Sequence, residues 1–157
     1  MRILCCLDGS NSEQMQRAVS TFLNTGASTI GLLYVIDKRP HEEIERQRER
    51  FLRGPRITPQ RYEQMQQAEG ISAQEVLEEA QHSFPDAELL RREGKPEREI
   101  VQCAAEWGAN LIVISPRSPQ NAEPLLGPKS VGHIARFVLD HAPCPVLLMR
   151  QQTTASA

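Results

Sequence analysis

Short apolar runs alternate with longer amphipathic stretches along the whole chain. Arg2–Asp8 (RILCCLD) is a compact apolar run closed by DGSNS, the pattern of a buried strand followed by a turn and a helix cap. Met15, Ala18, Val19, Phe22 and Leu23 then recur at helical spacing, with Ser10, Asn11 or Ser12 as cap and Asn24–Gly26 as terminator. Ser28–Ile36 predicts a second strand. The spacing predicts a long helix over 61–83, with Met65, Ala68, Ser72, Val76 and Ala80 on one face. Ala87–Glu93 is a third, less apolar strand that suits a sheet edge. Pro96 fits the first turn of a helix whose stripe is Ile100, Val101, Ala104 and Ala105, ending near Trp107 and Gly108. Asn110–Ser115 is a fourth strand. Ile134, Phe137, Val138 and His141 form one further helical face, and Pro145–Arg150 a last strand.

Alternation of strand and helix predicts an α/β fold: a single five-stranded parallel sheet with helices on both faces. In such sheets ligands sit beyond the carboxyl ends of the strands, near the point where strand order reverses. The ends to inspect are Asp8–Ser10, Val35–Asp37 and Ser115 onward.

Two segments interrupt the pattern. Residues 37–60 are dense in mixed charge, with Pro40, Pro55 and Pro59 around a weak stripe of Ile44, Phe51 and Leu52, and read as a solvated, partly helical excursion. Residues 115–131 form a long polar loop. Gly127, Gly132, Ser115, Ser118, Ser130 and Lys129 would make an anion cradle before the last helix, with Ser130 as its cap. Pro116, Pro119, Pro124 and Pro128 lack the N–H such a cradle uses, and neither standard glycine-rich phosphate pattern is present.

Composition narrows the function. The chain has 157 residues, one domain over 1–150 with a frayed tail over 151–157, and a net charge of -2. Such a balance offers no basic surface for nucleic acid. The apolar runs are too short to span a bilayer, and a strand-like run directly after Met1 argues against a signal peptide, so the expected location is cytoplasmic. Four cysteines show no metal spacing. Cys5 and Cys6, adjacent on a strand, should point to opposite faces as small buried residues. His41 and His82 sit in polar surroundings with no chemistry expected of them, and no nucleophile–base–orienter set can be assembled.

ILCCLDGS, GLLYVID, GKPEREIVQCAAEWGANLIVI and GHIARFVLDHAPCPVLLMR together resemble the universal stress protein family over nearly the whole chain. The resemblance implies sheet order 3-2-1-4-5 and a homodimer, here through the Val146–Met149 strand. Some members bind ATP through G-x2-G-x9-G-[ST] before the last helix. Ser115 and Ser118 stand where the first two glycines fall, Gly132 matches the third, and His133 replaces Ser or Thr. Thirteen residues separate Ser118 and Gly132 where that pattern has nine. Asp8, Val35 and Ile114 match adenosine-side positions, and Cys6 replaces a small residue or proline. With Ile134 these complete the expected cofactor-binding set. ATP or AMP is the implied ligand, with Mg²⁺ only alongside nucleotide. The alternatives are a dimeric interaction module without nucleotide and a slow ATP hydrolase.

Overall fold

The computed structural model describes residues 1–23, 25–50, 58–116 and 130–150. Its elements are β1 (Arg2–Leu7), α1 (Ser12–Phe22), β2 (Thr29–Asp37), α2 (Arg39–Arg50), α3 (Pro59–Ser83), β3 (Glu88–Gly94), α4 (Pro96–Trp107), β4 (Leu111–Ile114), α5 (His133–His141) and β5 (Val146–Leu148). The five strands form one parallel sheet in the order β3-β2-β1-β4-β5, as expected. The polar strand β3 lies at an edge, where fewer of its side chains need be apolar.

Period-2 alternation along β1 divides the core. Ile3, Cys5 and Leu7 pack with Met15 and Val19 of α1 and Leu77 and Ala80 of α3. Leu4 and Cys6 pack on the other face with Ile100, Cys103 and Ala104 of α4 and Ala135 and Val138 of α5. Each fully buried leucine or isoleucine contributes roughly 1.5–3 kcal/mol through removal from water. The adjacent cysteines therefore serve opposite cores, and all four cysteines are free.

Several helix faces differ from the periodicity. The buried stripe of α3 is Ala73, Leu77 and Ala80, while Ala68 and Ser72 are exposed. Only the second half of this 25-residue helix covers the sheet core. It also begins earlier than the stripe did: Thr58 caps it, its Oγ1 accepting the Arg61 N–H at 3.4 Å, and Pro59 occupies the first turn. In α1, Phe22 is exposed, and in α4 Cys103 rather than Ala105 faces inward. Ser130 does not cap α5. Gly132 holds the N-cap position, and Ser130 Oγ accepts a hydrogen bond from Arg150 at 3.2 Å.

Residues 39–50 are helical, and His41 is buried, not solvated. Its Nε2 lies 2.6 Å from Glu69 Oε1 on α3, and its ring meets Tyr62 edge to face at 5.7 Å. Lys38 Nζ reaches Glu69 at 3.4 Å and Glu93 at 3.5 Å. A short polar helix with little apolar surface is thus anchored onto the part of α3 that extends past the core by the His41–Glu69 contact and, just before it, the Lys38–Glu69 ion pair. Among the described residues no helix is long and apolar enough to cross a membrane.

Candidate functional site

The carboxyl ends of β1, β2 and β4 meet the starts of α1, α2, α4 and α5 around a cavity of about 340 Å³. Its position is where strand order reverses, between β1 and β4. Cys6, Asp8, Val35, Ile114, Ser115, Gly132, His133 and Ile134 all line it. Four segments far apart in the chain thus bring eight of the nine expected positions together. Ser118, with Gly127 and Lys129, lies outside the described residues.

Local bonding explains the shape of the floor. Asp8 Oδ1 accepts hydrogen bonds from the Ser10 N–H at 2.8 Å and the Ser10 hydroxyl at 3.1 Å, which fixes the turn after β1. Asn11, only 4% exposed, does not use its side chain as a helix cap. Its Oδ1 accepts the Asp8 N–H at 3.0 Å, while Nδ2 donates to the Cys6 carbonyl at 3.1 Å and to Ser115 Oγ at 2.7 Å. One amide therefore ties the ends of β1 and β4 together, and leaves the Ser115 hydroxyl proton free to donate elsewhere.

Gly132 stands at φ 79 and ψ 162, a conformation that side-chain-bearing residues seldom adopt. A Cβ built there would meet nothing within 4 Å. Backbone conformation, not crowding, thus explains glycine at this position, and it lets the chain enter α5 with His133 beside the cavity.

One wall is charged, and sequence reasoning missed most of it. Arg39 Nε donates to both oxygens of Asp37 at 2.9 Å, and Nη2 also donates to Asp37 Oδ2. This hydrogen bonding raises the guanidinium pKa above its ordinary value. Glu97, in the first turn of α4, lies 3.8 Å from Arg39 Nη1 and 3.5 Å from His133 Nε2. Asp37 was visible as the end of the second strand. Arg39 was hidden in a charge-rich run, and Glu97 in a helix start where a carboxylate is an ordinary dipole partner. The lining also includes the apolar Leu33, Val35, Ile100 and Ile114. Burial pushes the Cys6 thiol pKa well above its usual value, so it meets the cavity as a neutral group. Among the described residues no cluster of His, Cys, Asp or Glu has the grouping to hold a metal ion.

The universal stress protein family profile matches residues 1–150. The chain belongs to the universal stress protein family. No curated protein matches it significantly. Among solved structures of this fold, the universal stress protein UspA from Lactobacillus plantarum superposes with a TM-score of 0.67 at 21% identity, over 96% of this chain and 97% of the other. A family protein from Arabidopsis thaliana with AMP bound gives 0.62 at 16% identity, over 98% and 93%. A universal stress protein in complex with cAMP gives 0.56 at 16% identity, over 96% of each. At these identities the likeness is one of fold.

Proposed function

We propose that this universal stress protein is a cytoplasmic binding protein that holds an adenine nucleotide in the cavity at the carboxyl edge of its sheet. The observation that carries this reading is the meeting of Cys6–Asp8, Val35, Ile114–Ser115 and Gly132–Ile134 around one cavity. Its volume of about 340 Å³ lies within the range of small-molecule sites. Val35 and Ile114 offer apolar contact for a base, and Asp8 and the Ser115 hydroxyl offer polar partners for a sugar. The AMP held by the Arabidopsis relative supports the ligand class.

The test is thermal melting and calorimetry of the full chain with AMP and with ATP, each with and without Mg²⁺. Ligand at one hundred times its Kd stabilises by about 2.7 kcal/mol. For a domain of this size that raises Tm by roughly 5–11 °C. Gly132→Val should abolish the shift. No shift at millimolar concentration of either nucleotide would refute the proposal. Phosphate release from ATP that vanishes in Asp8→Ala would assign a hydrolase instead.

A second reading concerns assembly. Val146, Leu147 and Leu148 are all only half-buried, and no strand among the described residues pairs with the outer edge of β5. Pairing of Val146–Met149 with a second copy would cover that edge. Sedimentation at micromolar concentration should give a dimer, and a monomer would refute this reading.

A further inference from the structure

The charges around the cavity are of mixed sign among the described residues. Among the described residues, the charged or titratable side chains on its wall include the carboxylates Asp8 and Asp37, the guanidinium of Arg39 and the imidazole of His133. Behind the last two stands Glu97, only 7% exposed. Its Oε1 lies 3.5 Å from His133 Nε2, and its Oε2 lies 3.8 Å from Arg39 Nη1 with no hydrogen bond of its own. The Arg39 guanidinium and the His133 imidazole therefore both lie within 4 Å of a third carboxylate, and both separations are long for a hydrogen bond.

Arg39 has little capacity to spare. Its Nε and Nη2 are committed to Asp37, and Nη1 is the group that faces Glu97. His133 opens α5, directly after the glycine that brings the chain to the cavity. Any phosphate held at that helix start by backbone N–H groups would lie beside the His133–Glu97 pair. Glu97 is itself placed by α4: Pro96 opens the helix, and free N–H groups of the first turn favour a negative side chain there. A nearly buried carboxylate is thereby kept directly behind the Arg39 and His133 side chains that line the cavity, with one oxygen making no hydrogen bond.

We propose that Glu97 is a specificity-determining residue of this cavity: by claiming Arg39 and His133, it admits adenine ligands with no tail or a short anionic tail and rejects a polyphosphate chain. The inference rests on the adenine-nucleotide reading above and narrows it toward AMP and adenosine. As a general scale, two like charges about 6 Å apart at an effective dielectric of about 20 weaken association by roughly a hundredfold. Screening at the solvent-facing side of His133 brings the expected effect nearer tenfold. A purely structural Glu97, tying α2 to α5 through α4, would change stability but not the dependence of affinity on ligand charge.

The experiment is calorimetry of adenosine, AMP and ATP in the presence of EDTA, at low and high salt, with the wild-type chain, Glu97→Gln and Glu97→Asp. The wild type should bind ATP about tenfold or more weakly than adenosine at low salt, with AMP between them or equal to adenosine. Added salt should narrow that gap. Glu97→Gln should tighten ATP by about fivefold or more and leave adenosine within about twofold, while Glu97→Asp should keep the wild-type order. Equal changes for all three ligands in Glu97→Gln would overturn the inference, as would wild-type ATP binding as tight as adenosine at low salt. Failure of the wild type to bind any of the three would overturn the adenine-nucleotide reading itself. Should circular dichroism show that Glu97→Gln is unfolded, the wild-type salt series decides alone.

Discussion

Replacing Asn11 with alanine tests how the floor of the cavity is held. The side chain is 4% exposed and makes three hydrogen bonds, with the Asp8 N–H, the Cys6 carbonyl and Ser115 Oγ. Asn11→Ala removes all three together and takes a polar anchor from between the ends of β1 and β4. A neutral hydrogen bond contributes about 1 kcal/mol net, and a buried group left without a partner costs about 1–3 kcal/mol. The Ser115 oxygen can turn toward another donor, whereas the Cys6 carbonyl lies at a buried position and cannot move. The expected loss is therefore about 2–4 kcal/mol. At roughly 2–4 °C per kcal/mol for a domain of this size, Tm should fall by about 4–16 °C. Thermal melting followed by far-ultraviolet circular dichroism measures it. Asn11→Asp keeps the acceptor for the Asp8 N–H but sets a carboxylate against the Cys6 carbonyl, so it should not rescue. A Tm within 1 °C of wild type for Asn11→Ala would show that the three bonds are replaced by water, and that the amide does not join the two strand ends.

Two further outcomes probe the core. A Cβ at Gly31 would lie 2.9 Å from Trp107 Cζ2 and 3.2 Å from Leu90 Cδ1. Trp107 cannot easily yield, because its Nε1–H donates to Glu88 at 2.8 Å and the Arg2 guanidinium lies 4.2 Å over its ring. Gly31→Ala should cost about 1–3 kcal/mol, read from urea midpoints by the fluorescence of this sole tryptophan; a midpoint equal to wild type would mean the indole moves freely. The thiols supply a pH test. Burial pushes Cys5 up to about 12 and also raises Cys6 well above its ordinary value. Folded pKa values raised above the unfolded ones give stability that is complete below pH 9 and is lost as pH rises through the folded values. Each such thiol steepens that alkaline loss by about 1.4 kcal/mol per pH unit. Cys5→Ala should flatten the loss by that amount between pH 9 and 11, and parallel slopes for variant and wild type would discard the assignment.

The cavity was legible in part because ligand sites of open α/β sheets gather at strand ends, and strand ends are marked by where apolar runs stop. Asp8, Val35, Ile114 and Ser115 sit at such stops, and all four line the cavity. Asn11 was legible only as one of three candidate caps, since an amide beside a helix start has a local role available. That it reaches Ser115, 104 residues away, follows from the adjacency of β1 and β4. Arg39 and Glu97 went unread for the same reason: each is an ordinary charged residue in its own helix, and only the packing of α2, α4 and α5 brings them together beside the cavity.

Periodicity by itself determined the number and type of the strands, the parallel sheet, and the division of Cys5 and Cys6 between two cores. These depend on which side of the backbone a residue occupies, a property local to a few residues. Which stripe of α3 is buried, that His41 pairs with Glu69, and that Glu97 stands between Arg39 and His133 were decided only by tertiary structure. Polar side chains on amphipathic helices have several acceptable partners in water, and the choice among them is made when distant elements are packed together.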